Sequence, residues 1–482
     1  MTRSAQRSVR AWQAVVVLLV AACGGATSPS PSQQSSASTA ASASSSASAS
    51  AGGSALPTAI TGASCQSGAK EVKFWTSHTP PDSDALKNIV DAFNAANTDT
   101  CVKMTIVPGS ETDIAKLLTA IRGGAAPDVY MADRFTVPQR AAEGVLDDIT
   151  AETQSLSSQY LEFAWAETQF EKKTYALPFD TDARALWYNK DLIQAAGEDP
   201  AQLDVSKGPA TIDTVVKIAD KVSKKDTSGN YDVMGWIPGG PGAGGSAGAF
   251  DQGWHYTWGF AYGGSFADLS ACTVTPTNPG VVAAFQFLYD WAKNHDPSAV
   301  SRWVASNRPT ITQPAQQHPL WTGKLAMTIS GDWRIAEQTK YVPNGHYDFT
   351  FIPVPKAGDQ SATWAGGWSM ALIPNSTVRE QAIKFIKYIA GADGQKVYTK
   401  ESTHLPTIKS LLTDTSLYDP QHAKFLDLLK VAKNRPPLSV GAAYWDALTT
   451  AQGSVEQNSK TPMDALKEVE NSVGPQLKTA GC

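Results

Sequence analysis

The sequence predicts an α/β body of two domains behind a leader and a tether, and three observations carry that prediction. Between residues 71 and 132 the chain runs apolar alternation, a one-sided apolar stripe, alternation, a second stripe and a third alternating run. Strand, helix, strand, helix, strand at this spacing is the pattern of parallel winding. The stretch from about Cys65 to Cys482 is too long for one compact core and suits two domains of roughly 200 residues. One-faced apolar stripes also recur far downstream, at Ile212, Val215, Val216, Ala219 and Val222, at Val281, Val282, Phe285, Leu288 and Trp291, and at Ile383, Phe385, Ile386 and Ile389.

The chain opens with Arg3, Arg7 and Arg10, followed by a small and apolar run from 14 to 22 that ends at Cys23. Charge before a short apolar run is the order of a secretory signal, and the run is too short to stay in a bilayer as a span. Val20-Ala-Ala-Cys23 looks like a bacterial lipobox, so residues 1–22 read as a lipoprotein signal and Cys23 as the acylated N-terminus. Each buried methylene of an acyl chain contributes about 0.8 kcal/mol, and stable anchoring takes more than one chain. Residues 27–55 are almost entirely Ser, Ala, Thr, Pro, Gly and Gln, without charge or large apolar groups. Such a composition cannot bury enough surface to fold, so 23–64 is a flexible tether that leaves the body at the outer face of the cell membrane.

Within the body, residues 71–75 and 102–107 alternate, and 128–132 forms the third strand. The helix over 83–97 places Leu86, Ile89, Val90 and Phe93 on one face, and a second helix covers 114–122. Phe285, Trp291 and Phe385 sit on helical stripes and belong to the core. Residues 239–264 are rich in glycine and aromatics, with Trp254, Tyr256, Trp258 and Tyr262 close together, and read as a loop whose rings must pack on something. A net charge of -5 with 18% charged residues offers no basic field for nucleic acid.

Besides Cys23 the chain has four cysteines, and an even number in an exported protein favours disulfides. Cys65 precedes the first strand and Cys101 opens the second, so neighbouring strand starts pair Cys65 with Cys101 and leave Cys272 for Cys482. Free buried cysteines are the alternative. No two of them lie close enough in sequence for a zinc knuckle, and nothing in the chain asks for a metal or a cofactor.

A series of motifs then carries a resemblance. It comprises Phe74-Trp-Thr-Ser-His78, Gly123-Gly-Ala-Ala-Pro-Asp128, Ala141-Ala-Glu-Gly-Val-Leu-Asp-Asp148, Tyr175-Ala-Leu-Pro-Phe-Asp-Thr-Asp182 running on to Asp191, and Gly323-Lys-Leu-Ala-Met-Thr-Ile-Ser-Gly-Asp-Trp333. Ile352-Pro-Val-Pro355, Ala365-Gly-Gly-Trp-Ser369, the 384–395 region and Tyr444-Trp445 complete it. In this order the chain resembles the extracellular solute-binding proteins of the sugar-binding, maltose-binding-protein-like type. The resemblance implies a periplasmic-binding-protein-like fold of two hinged α/β domains with a ligand cleft between them. It implies crossovers after 178–182, near 365–368 and near 412–421. Domain one is then 66–181 with 369–415, and domain two 182–368 with 416–482. It also implies a carbohydrate ligand, permease subunits of an ABC importer as partners, action as a monomer, and no catalysis.

Sugars present hydroxyls that donate and accept, and apolar C–H faces, which suit planar charged groups and aromatic rings respectively. By resemblance Asp182 contacts hydroxyls, while Arg184 either contacts ligand or holds Asp182. Asp133 and Arg134 follow the third strand and are candidates by position. Trp333 and Trp445 align with ring-stacking tryptophans of the family, with Tyr444 beside the latter. Trp254 and Trp368 come next, and Gly367 lets backbone N–H groups approach a ligand. Asp332 either meets a hydroxyl or caps the following helix. Ser77 and His78 end the first strand at the mouth of the cleft.

The rival reading is a lipid-anchored hydrolase or glycosidase. Gly244-Gly-Ser-Ala-Gly248 matches a nucleophile elbow in form, but it lies in a glycine-rich stretch past the strand expected at 233–237, where a sharp strand-to-helix turn is required. His255, His295 and His318 follow without any setting that selects a base. Asp180 and Asp182 could be proposed as a glycosidase pair, yet they lie two apart on one segment. His-Glu-x-x-His and a phosphate-binding Gly-Lys-Ser/Thr loop are both missing, which removes zincins and nucleotide hydrolases.

Overall fold

The computed structural model describes residues 58–59, 65–109, 112, 114–239, 252–309 and 315–481, all within one compact unit, 53–482. Of the signal and tether residues only Thr58–Ala59 is described, and it is not tether but a short edge strand paired with Thr105 and Ile106; the rest of the signal and tether up to residue 64, Cys23, the Gly244 motif and Cys482 lie outside the described residues.

Two sheets organise the body. The first has six strands, in the spatial order Thr58–Ala59, Thr100–Ile106, Lys70–Thr76, Val129–Asp133, Trp368–Leu372 and Ala176–Pro178. Lys70–Thr76 runs parallel to both its neighbours, as the winding pattern predicts, while Trp368–Leu372 enters antiparallel between Val129–Asp133 and Ala176–Pro178. The helix Asp82–Ala96 buries Leu86, Ile89, Val90 and Phe93, the stripe read from the sequence, and Phe385 of Arg379–Ile389 meets Phe74 at 5.4 Å and Phe93 at 5.2 Å.

The second sheet has five strands, in the order Lys224–Lys225, Tyr231–Trp236, Leu325–Gly331, Arg184–Asn189 and Tyr347–Thr350. Against it packs a larger core that includes Val215, Ile218, Phe285 and Leu288, and Trp291 lies in a smaller cluster beside it. Part of the expected glycine-rich loop is instead the helix His255–Ala261, with Tyr256 and Trp258 buried and the Trp258 indole donating to the Pro238 carbonyl at 2.6 Å. Burying those rings offsets the entropy of ordering the glycines that flank them.

The chain passes between the sheets along Asp180–Thr181, which pairs with Leu405–Pro406, and along Thr363–Ala365, which pairs with Ala432–Asn434. Cys65 and Cys101 form a disulfide beside the first sheet. Cys272 is also disulfide-bonded. Among the described residues no helix is long and apolar enough to cross a membrane.

Candidate functional site

Strand ends deliver charged and aromatic side chains to a cavity of about 210 Å³ where the two sheets meet. From the first sheet come His78 and Asp82, after the strand Lys70–Thr76, together with Asp133 and Trp368, which face each other in register across adjacent strands. From the second come Arg184, opposite Gly331 in register, and Trp333 just beyond it. Trp364, Gly367, His404, Arg435 and Trp445 close the wall.

Ion pairs set the charge of this wall. Asp182 bonds the Arg184 guanidinium and accepts the Gly366 N–H at 2.5 Å. Arg184 stands over Trp364, 3.4 Å from the ring centre, and over Trp333 at 5.4 Å, cation–π contacts that favour its charged form. Asp133 accepts two hydrogen bonds from Arg435, at 2.5 and 3.2 Å. Arg435 in turn stands over Phe135 at 4.0 Å, Trp364 at 4.8 Å and Trp445 at 5.6 Å. Glu337 pairs with Arg334 and accepts the Trp321 indole N–H at 3.2 Å. Burial lowers the Arg184 pKa, Asp182 opposing it, and burial raises that of Glu337 against its Arg334 partner.

Arg134 has another task. Its guanidinium bonds Glu167 at 2.8 Å and the carbonyls of Asp180 and Gly366, fastening the two passages between the sheets. Gly367 has φ 125°, and a Cβ there would collide with Arg134 and the Asp180 carbonyl, so only glycine fits. Asp180 accepts the Trp368 N–H at 2.5 Å, and burial pushes its carboxyl up to about 6.

The structure thus brings Asp182, Arg184, Trp333, Trp445, Trp368, Asp133, Gly367 and His78 to one cavity. His78 is 9% exposed, sits 2.9 Å from the Tyr398 hydroxyl, and burial lowers its pKa to about 4. Trp254 is one layer back, its ring 5.6 Å from Trp445. Tyr444 is wholly buried in the core and donates to the Phe266 carbonyl at 2.8 Å, because the helix Gly441–Glu456 turns it away from the cavity that its neighbour reaches. Ser77 borders a different hollow. Asp332 lies behind the wall and does not cap the helix Arg334–Tyr341, since neither of its oxygens accepts a hydrogen bond.

Sequence reading missed Asp82, Trp364, His404 and Arg435. Trp364 precedes the Ala365-Gly-Gly-Trp motif directly and could have been found there. His404 sits outside every motif, and Arg435 directly precedes Pro436-Pro437 of the proline-rich stretch that leads to Tyr444-Trp445; both reach the site through long-range packing.

The chemistry on offer is donors, acceptors and ring faces. Among the described residues the cavity lining holds no serine or cysteine nucleophile, and of Asp180 and Asp182 only the latter reaches it. No described group of three or more His, Cys, Asp or Glu side chains is arranged to hold a metal ion.

An α/β pair of sheets with a polar and aromatic cavity between them defines a binding protein that closes on a small solute. The family model of bacterial extracellular solute-binding proteins matches residues 76–396, and the chain belongs to that family. A probable ABC transporter-binding protein of Deinococcus radiodurans is 25% identical over 86% of this chain and 96% of its own length. A galactooligosaccharide-binding protein of Bacillus subtilis is 21% identical over 88% and 93% respectively. Among solved structures, CpMnBP1 with mannobiose bound has a TM-score of 0.72 at 21% identity, covering 83% of this chain and 98% of its own. The GacH receptor of Streptomyces glaucescens, solved unliganded and with acarbose, has a TM-score of 0.67 at 23% identity, covering 85% and 99%. These likenesses establish the two-domain fold.

Proposed function

We propose that the cavity captures a carbohydrate outside the membrane and that the protein delivers it to the permease of an ABC importer, held at the surface through acylated Cys23. The observation that carries this reading is the wall itself. Asp182 with Arg184 and Asp133 with Arg435 set an acceptor beside a donor, which matches adjacent hydroxyls, while Trp333, Trp364, Trp368 and Trp445 supply flat apolar faces for C–H patches. Relatives named for galactooligosaccharide and maltotriose binding support the same ligand class.

The reading is binding without chemistry, supported by the engagement of Asp182 with Arg184 and of Asp133 with Arg435, which holds those carboxylates in ion pairs. The domains are 66–181 with 369–415 and 182–368 with 416–482, a division supported by the longer strands of each sheet falling almost entirely within one set.

A thermal-shift screen against mono-, di- and oligosaccharides tests it. A ligand at a hundred times its dissociation constant adds about 2.7 kcal/mol of stability, so one sugar class should raise the melting temperature and be recovered intact. A sugar consumed in the assay, or no shift with any sugar, would overturn the proposal.

A further inference from the structure

One buried cluster at the edge of that cavity, built around His404, has charges that the binding reading does not account for. His404 is 4% exposed, with Tyr398 parallel to its ring at 5.3 Å and 7°, and Trp333 at 5.5 Å and 26°. Its Nε2 lies 3.7 Å from Asp82 Oδ2, and its Nδ1 lies 3.7 Å from Asp180 Oδ2 and 3.6 Å from Asp332 Oδ1. Asp82 begins the helix that follows Lys70–Thr76 of the six-stranded sheet. Asp332 directly follows Leu325–Gly331 of the five-stranded sheet, and Asp180 lies on the passage between the two. A single ring therefore meets carboxylates from both sheets.

Those carboxylates have few other partners. Both oxygens of wholly buried Asp332, Oδ2 of Asp180 and Oδ1 of Asp82 accept no hydrogen bond. Buried acids this close repel one another unless a cation or protons stand among them. The guanidiniums of Arg134 and Arg184 act on Asp180 and Asp332 respectively, but each is bound to another carboxylate, Glu167 and Asp182. Burial lowers His78 and His422 to about 4, Tyr398 is raised well above its usual range by burial, and Arg184 is bound to Asp182.

The backbone is arranged to hold the ring there. Thr403 adopts φ 61°, a left-handed conformation rare for a β-branched residue. Its hydroxyl lies 2.9 Å from the Asp332 carbonyl and accepts the Ala336 N–H at 3.3 Å, tying the turn before His404 to the far side of the cavity. Strain kept at such a position points to a constraint worth its cost.

We infer that His404 is a positioning residue whose imidazolium, shared between Asp82 on one side and Asp332 on the other, clamps the two sheets together over the cavity. The inference extends the binding reading, because the clamp closes the cavity on its ligand, but the clamp itself needs no ligand. Burial pulls the His404 ring down, and Asp82, Asp180 and Asp332 outweigh that pull and carry it to about 10. The clamp is then charged at neutral pH. Burial already raises Asp180 and Asp332, and His404 opposes that rise in both; with a neutral side chain in place of the ring the two acids stay buried together only when protonated, so the clamp then holds only in acid.

The test is hydrogen exchange on the ligand-free full chain, comparing wild type, His404→Gln, and His404→Gln with Asp332→Asn, at pH 5 and pH 8. In His404→Gln, segments 331–341 and 401–407 should lose about tenfold or more of their protection at pH 8 and little at pH 5. Asp332→Asn should restore most of the loss. Unchanged protection at pH 8, or equal loss at both pH values, would overturn the inference, the second because lost packing has no such pH dependence. Should His404→Gln fail to fold, the ¹⁵N resonances of His404 in the wild type decide: an imidazolium from pH 5 to 8 supports the clamp, and a neutral ring ends it. Sugar uptake without this pattern would refute the clamp alone, and the pattern without sugar uptake would refute the ligand reading alone.

Discussion

Around Trp364 and Trp445 the charges meet their opposites in hydrogen bonds, as in Asp133 with Arg435 and Asp182 with Arg184, whereas around His404 three carboxylates share one ring at 3.6–3.7 Å and its Nδ1 makes no hydrogen bond. The first wall is a paired surface: its guanidiniums are held by carboxylates and lie against tryptophan rings, with only the Nε atoms of Arg184 and Arg435 left unbonded. The second corner is held by a charge that no single partner fully satisfies. The difference teaches that a binding cavity can keep its recognition surface rigid while placing its adjustable electrostatics at the joint between domains.

The largest expected effect lies in the rigid wall. Arg435→Ala leaves Asp133 buried without its partner and should cost about 3–5 kcal/mol of stability in a denaturant titration. A loss of under half that would mean the wall is no more fixed than the His404 corner. Trp445→Ala comes next, because this ring is 2% exposed and packs on Trp254, Trp364 and Phe135. It should lose roughly 3–5 kcal/mol of stability and, at the same time, weaken carbohydrate binding.

Trp333→Ala separates the two contributions. This ring is only half-buried at the cavity edge, stacked on His404 and near Arg184. Affinity by calorimetry should fall more than about tenfold, equivalent to roughly 1.4 kcal/mol, while the melting temperature stays close to wild type. Unchanged affinity in both tryptophan variants would refute the site.

The smallest effect is the pH response of the His404 corner in the wild type. A histidine raised from its ordinary value to about 10 gives stability that is fully present below about 6.5 and is lost as pH rises through 10. Asp180, raised to about 6, works the other way for a carboxyl: its burial costs stability above that pH, and the cost eases as pH falls below it. Melting scans should therefore show stability falling steadily as pH rises from about 6.5 towards 10, with a further gain below about 6 as Asp180 takes up its proton. A profile flat on both sides would remove the difference between the two walls.

Much of this molecule was legible in one dimension because periodicity is local. The stripe Leu86, Ile89, Val90, Phe93 and the pairing of Cys65 with Cys101 needed only the strand and helix repeats around them. The Asp182, Trp333 and Trp445 candidates came from motif order. Failures occurred where neighbours in sequence part company in space: Tyr444 and Trp445 are adjacent, yet one is sealed in the core while the other reaches the cavity. Asp332 offered two local roles, a hydroxyl contact or a helix cap; it does not cap the helix and lies outside the cavity lining, 3.6 Å from the His404 ring.

The amino-acid sequence by itself determined the α/β class, the helical faces that build both cores, the family and the kind of groups a ligand would meet, because these follow from spacing along the chain and from side-chain chemistry. Only the tertiary structure decided which charges pair and which must share. Asp133 finds Arg435 302 residues away, and His404 gathers acids from three separate segments; such partnerships are fixed by how two sheets pack, which no local pattern encodes.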